Sequence, residues 1–248
     1  MADTKIIKEV DKNDSFHLRY ILESQTALAK LVQLNSTMIP SDFEQIYEEN
    51  EKDHKLKIFL HTSSEGEEKT TTVSKVMAEW YVPVTPEQFI GFMNNIDEQL
   101  KAGDDVVEVI KPVLVMNETS DQVYILYYVS HKRDKGGNAR DFLYMRHSAK
   151  VDTNSYADCF VSVEHKDYLI TPNCHRCEYK IGGHTIKLVN SKGVEGRPVS
   201  HVRMYLELDF KTKMPAELAK SYFQAALVGY IEKSVERLRI LHPSEDLL

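Results

Sequence analysis

Three cysteines in 248 residues (Cys159, Cys174 and Cys177) are too few to staple a chain of this length. A disulfide framework is therefore excluded, and a reducing compartment is the expectation. Basic charge is also short: 31 Lys and Arg stand against 38 Asp and Glu, a formal net charge of −7. A dedicated nucleic-acid binder needs a cationic footprint to recruit phosphates, so that class is excluded. The same balance argues against permanent adhesion to anionic lipid surfaces. No window approaches the roughly 18 consecutive apolar residues of a membrane span. The segment Met1 to Lys5 is polar and lacks the apolar run of a secretory signal. No Gly/Ser-rich or Pro-rich linker divides the chain, and nothing repeats at a fixed period. These absences predict a cytoplasmic protein with one domain over residues 13–246, preceded by a tail over residues 1–12.

Catalytic signatures are missing too. There is no Gly-x-Ser-x-Gly elbow, no P-loop and no dinucleotide fingerprint. The ten histidines include no His-x-x-x-His helical pair. Cys174-His175-Arg176-Cys177 has the spacing of zinc and redox sites, but a structural zinc needs a second ligand pair. A redox pair normally opens a helix, whereas this one enters a strand-like run. No metal, cofactor or catalytic residue is expected.

What is present is a clear alternation of periods. Asn13 or Asp14 can cap a helix running to about Leu34, with Phe16, Ile21, Leu28, Leu31 and Val32 as its apolar stripe. Ser41-x-x-Glu44 is a capping-box pattern and predicts a second short helix ending in the charged run 48–53. Strands are predicted over 56–62 and 70–81. Thr85-Pro86-Glu87-Gln88 then combines an N-cap, a first-turn proline and a capping box. Phe89, Phe92, Met93, Ile96 and Leu100 follow at helical spacing, with Gly103 as a C-cap. Strands follow at about 106–117, 121–130, 140–151, 156–166, 175–189 and 200–210. Their short polar turns imply an antiparallel meander. A final helix over about 215–241 carries Ala219, Phe223, Leu227, Ile231, Val235 and Leu238 on one face. Gly229 lies inside it, read either as a point of close packing or as a soft point that lets the helix lift.

The most informative stretch is Arg140-Asp141-Phe142-Leu143-Tyr144-Met145-Arg146. Residues two apart share a strand face, so Phe142, Tyr144 and Arg146 point the same way. A cation flanked by two aromatics sits either on a solvated surface or in a polar-tipped cavity. Ser162-Val163-Glu164-His165 ends another strand, Gly182-Gly183-His184-Thr185-Ile186 lies in a third, and the terminal helix follows. This order resembles the START family, the lipid-transfer domains related to steroidogenic acute regulatory protein. The resemblance covers about residues 75 to 242 by motif. It implies an α+β helix-grip fold: a curved antiparallel sheet wrapped around a long C-terminal helix, with N-terminal helices and an internal lipid tunnel.

The resemblance also implies the activity: binding one lipid in the tunnel and moving it between membranes, without catalysis and with only transient membrane contact. It places Arg146 towards the cavity. Many family members pair this arginine with an acid on the preceding strand, but residues 124–128 contain none, leaving Asp158, Glu164, Glu178 or Glu207 as alternatives. An uncompensated guanidinium would favour a phosphate, which predicts a glycerophospholipid over a sterol. The expected ligand contacts are Arg146, Tyr144, Tyr127, Tyr128, Tyr179, Met204, Phe223, Leu227 and Ile231. Lys132, Arg133, Gly136 and Gly137 are the expected gate. On this reading Arg146→Leu abolishes transfer and leaves folding nearly intact. A lipid-sensing or scaffolding module, a sterol or ceramide carrier, and a helix-grip enzyme are the alternatives.

Overall fold

The computed structural model describes residues 15–37, 39–51, 54–62, 70–95, 97–99, 113–118, 121–130, 139–165, 168–170, 174–190 and 197–243. Helix α1 spans Ser15–Ser36 and is followed by strands β1 (Glu44–Glu51), β2 (His54–Thr62) and β3 (Thr70–Val82). Helix α2 spans Pro86–Asn94. Strands β4 (Val113–Glu118), β5 (Asp121–Ser130), β6 (Ala139–Asp152), β7 (Ser155–Ser162), β8 (Cys174–Arg176), β9 (Glu178–Asn190) and β10 (Val199–Pro215) lead into helix α3 (Ala216–Leu241). The strands form one curled sheet in the order β1-β2-β3-β10-β9-β7-β6-β5-β4, antiparallel throughout; β8 adds to β6 in parallel.

The pleat divides this sheet into two faces. On β3 and β10, Val76, Ala78, Trp80, Val202, Met204 and Leu206 pack with the α3 stripe Ala219, Phe223, Leu227, Ile231, Val235 and Leu238, all buried. Their sequence neighbours Met77 and Tyr205 point the other way and meet Leu31 of α1. Helix α3 thus lies inside the curl against β1, β2, β3 and β10, α2 packs on β7 and β9, and α1 braces the outside. Each large α3 side chain buried this way contributes about 1.5–3 kcal/mol. The α2 capping box forms as expected: Gln88 N donates to Thr85 Oγ1 at 3.3 Å and Thr85 N to Gln88 Oε1 at 2.9 Å.

Two glycines on β9 allow a close approach to β7. A Cβ at Gly182 would lie 2.1 Å from the Phe160 ring, which crosses it on the inner face. Gly183 has φ +142°, and a Cβ there would meet the Asp158 carbonyl oxygen at 1.9 Å. Only glycine holds that conformation without strain.

Several expectations are corrected. The helix expected from Ser41 is strand β1: Leu56, Ile58 and Leu60 on β2 need a ladder partner, and Glu44–Glu51 supplies it. Its glutamates and the register shift between Gln45 and Tyr47 blunt the sheet's edge against further pairing. The strand expected over 156–166 stops at Ser162, beyond which β8 takes over pairing with β6 at Ala139–Asp141. Close packing does not explain Gly229, because a Cβ there meets nothing within 4 Å. Helix α2 ends at Asn94; Leu100 and Gly103 lie outside the described residues, as does 106–112 of the next expected strand.

Candidate functional site

Cross-strand register places one polar cluster inside the curl. On β6, Phe142, Tyr144, Arg146 and Ser148 face inward; β7 contributes Asp158 and Phe160, and β9 contributes Gly182 and His184. Arg146 is 7% exposed, and each of its three guanidinium nitrogens meets a protein acceptor. Its Nε donates to Asp158 Oδ1 at 2.6 Å, its Nη2 to Asp158 Oδ2 at 3.1 Å, and its Nη1 to the Met93 carbonyl of α2. Ser148 Oγ donates to Asp158 Oδ1 at 2.7 Å and lies 3.0 Å from Asn94 Oδ1. The network continues through Asn94 Nδ2 to Gln122 Oε1 at 2.8 Å, which also accepts from the Tyr124 hydroxyl at 3.1 Å. His184 Nδ1 completes the set at 3.4 Å from Asp158 Oδ2.

Four ionisable groups here, Asp158, Arg146, Tyr144 and Tyr230, are held in single states. Burial works to raise the Asp158 carboxyl, but the Arg146 charge and hydrogen bonds from His184 and Arg146 overcome it and hold the group well below the ordinary carboxylate range. Arg146 itself is raised: burial works against its charge, and Asp158 outweighs it. Burial pushes the phenols of Tyr144 and Tyr230 up to about 12. These four groups do not exchange protons near neutrality, so the cluster acts as a fixed polar surface.

An aromatic wall adjoins it. Tyr179 stacks on Phe142 with centroids 5.1 Å apart and meets Phe160 and Tyr144 edge-on at 4.9 and 5.4 Å. Met204 lies in register between Ala78 and His184, and Phe223, Leu227 and Ile231 present the inner stripe of α3. Arg146, Tyr144, Tyr179, Met204 and the three α3 residues therefore all belong to the inner face. Tyr128 pairs with Phe142 in the ladder, and its side chain lies outside the described residues. Tyr127 lies on the other face. Its ring packs outside with Tyr20, Ile125, Leu143 and Met145, and its hydroxyl donates to Asp141 Oδ2 at 3.3 Å. Neighbouring strand residues alternate faces, so Tyr127 and Tyr128 cannot both line one chamber. The expected gate residues Lys132, Arg133, Gly136 and Gly137 lie outside the described residues.

Asp141 serves the outer face, where Arg176 Nη2 bonds its Oδ2 at 2.8 Å. Cys177 is buried, and burial pushes its thiol up to about 12. Burial also raises Cys159. Trp80, Asn94 and Ser148 were not singled out from the sequence. They reach the site through strand pairing and helix docking, which leave no local motif.

The START domain family pattern matches residues 104–243, more than half of the chain. Among solved structures the chain is similar to human StAR-related lipid transfer protein 5, at 14% identity and a TM-score of 0.71, covering 92% of this chain and 100% of that one. It is also similar to human STARD10, at 16% identity and 0.61, covering 93% and 82% respectively. A third similarity is to the lipid transfer and protein localization domain of human StarD13, at 16% identity and 0.56, covering 92% and 98%. No curated protein sequence matches the chain.

Proposed function

We propose, from the premise that this chain belongs to the START domain family, that it is a lipid-binding and lipid-transfer protein. It would enclose one lipid between the curled sheet and α3 and carry it between membranes without catalysing a reaction. The observation that carries this reading is the inner face itself. An apolar α3 stripe and the Phe142, Tyr144, Phe160 and Tyr179 wall flank one buried polar cluster, the lining that a chamber for one amphiphile would need. The similar proteins described as lipid transfer proteins support the same reading. Tyr144, Tyr179, Met204, Phe223, Leu227 and Ile231 would line the chamber.

The preference for a glycerophospholipid loses its ground. It rested on an Arg146 without an acidic partner, and Asp158 and Met93 now occupy all three guanidinium nitrogens. A phosphate seeking the same bidentate Nε–Nη2 edge would have to displace a buried carboxylate. Arg146 becomes the anchor of the polar cluster.

No helix among the described residues is long and apolar enough to cross a membrane. Three free thiols, two of them buried, suit work in the cytoplasm. The test is transfer between donor and acceptor vesicles, with native mass spectrometry of the purified protein. A carrier moves labelled lipid and carries one bound lipid. Binding without movement would indicate a sensor, and neither would refute the reading.

A further inference from the structure

Helix α1 does not lie flush on the outside of the sheet. Between it and the outer side chains of β7 and β9 runs a groove of about 390 Å³. Leu22, Ala27 and Lys30 of α1 form one wall; Val161 and Ile181 form the other. Val161 and Ile181 pack with the clusters that α1 covers, so the groove lies on the opposite face from the inner chamber. Towards the start of α1 it continues as an apolar rim: Leu18 and Leu22, one turn apart, are 57% and 56% exposed. Single exposed leucines are ordinary, but two in line with an apolar groove make one continuous surface.

Most of the charge around the groove is already answered. Glu23 accepts from Arg19 Nε at 2.7 Å, and Lys180 Nζ lies 2.7 Å from Glu178 Oε1. Lys30 is exposed and has no acidic partner among the described residues. From Leu18 to Lys30 the groove therefore suits apolar side chains first and a carboxylate at the far end.

Residues 1–14 offer that chemistry in that order. Reading back from Ser15, the apolar residues are Val10, Ile7 and Ile6, and the next acid beyond them is Asp3. The segment joins α1 at the end where Leu18 and Leu22 lie. Extended, residues 3–14 reach up to about 40 Å. The helix from Ser15 to Lys30 is only about 22 Å long, which leaves ample chain for a reversal. We propose that the groove is the docking site of the chain's own residues 3–10. Val10 lies against Leu18 and Leu22, Ile6 and Ile7 cover Ala27, Val161 and Ile181, and Asp3 meets Lys30. The segment straps α1 to β7 and β9 from outside. It takes no part in the lipid chamber, so this inference stands or falls independently of the carrier reading.

Photocrosslinking of the 248-residue chain with p-benzoylphenylalanine in place of Ile7 tests the strap. Crosslinks within one chain to residues 22–30, 161–162 or 180–181 are expected on peptide mapping. Leu22→Asp, a change at an exposed position, should lower their yield at least about tenfold, the equivalent of about 1.4 kcal/mol. Lys30→Glu should also lower it, and adding Asp3→Lys should restore it, an exchange that an incidental contact would not follow. Amide hydrogen exchange reads the same contact without the bulky probe. Residues 4–10 of the wild type should exchange at least about tenfold more slowly than those of Leu22→Asp. Crosslinks between two chains at the same residues would give the groove to a second copy and overturn the strap. So would crosslinks elsewhere, or exchange that is equal in the two proteins, either of which leaves the groove to another occupant.

Discussion

Arg146→Leu separates a headgroup arginine from an anchoring one. Leucine fills part of the same space but leaves Asp158, fully buried, without its cation and frees the Met93 carbonyl. Removing one partner of a buried pair typically costs about 3–5 kcal/mol, because the remaining charge is stranded. For a chain of this size each kcal/mol moves Tm by about 2–4 °C, so the expected fall is on the order of 10 °C. The pH dependence carries a second signature. In the wild type the Asp158 carboxyl is held low, so its contribution is present above the unfolded carboxylate value of about 3.9 and is lost only as pH falls through the lower folded value. In Arg146→Leu burial acts without the guanidinium and raises that carboxyl. Folding then favours the protonated form, and stability is lost as pH rises. The Tm deficit should therefore shrink as the buffer goes from pH 7.5 to 5. Arg146→Met with Asp158→Leu should recover much of the loss, since an apolar pair of similar volume is often no worse. Thermal melts across pH, with vesicle transfer on each variant, provide the assay. An Arg146→Leu protein with unchanged Tm that has lost transfer would refute this reasoning and restore the arginine to the headgroup.

Gly183→Ala forces a side chain into φ +142° and against the Asp158 carbonyl, and is expected to cost about 3 kcal/mol or more. A wild-type urea midpoint would contradict that geometry. Gly229→Ala sits in open space within α3 and should stabilise by about 1 kcal/mol, read as a rise in Tm; a fall would mean the added methyl meets a neighbour. Thr85→Ala removes the capping box of α2 and should cost about 1 kcal/mol by urea unfolding, with no effect expected if the cap were spurious.

What could be read from the sequence was what depends on neighbours along the chain. The Thr85 cap, the α3 stripe and the bounds of β5 are local patterns, and each appears where the residues placed it. Strand alternation was equally legible and already forbade Tyr127 and Tyr128 from sharing a face. Choosing between them required the register that sets Tyr124 opposite Arg146 and Tyr128 opposite Phe142. Register also decided the partner of Arg146. Four carboxylates were open to it, and Asp158 was selected because it pairs with Ser148, one inward position along β6 from Arg146. Strand β1 misled for a related reason: its capping-box letters favour a helix in isolation, while β2 beside it needs a partner for its ladder.

The way α3 is held bears on how such a chamber can open. Its inner side chains Phe223, Leu227, Ile231, Val235 and Leu238 are buried, and exposing them to water would cost on the order of 10 kcal/mol. Polar tethers add to this at three points: Lys220 to Glu44 near the start, Tyr230 to Gln99 at 3.3 Å in the middle, and Arg237 to Glu98 towards the end. The exposed Lys220–Glu44 pair contributes little. Most of the barrier is therefore hydrophobic and depends on what receives the stripe. Water makes opening rare, whereas the acyl region of a bilayer accepts the same side chains at little cost, so the apolar stripe that seals the chamber in solution would itself direct opening to a membrane surface.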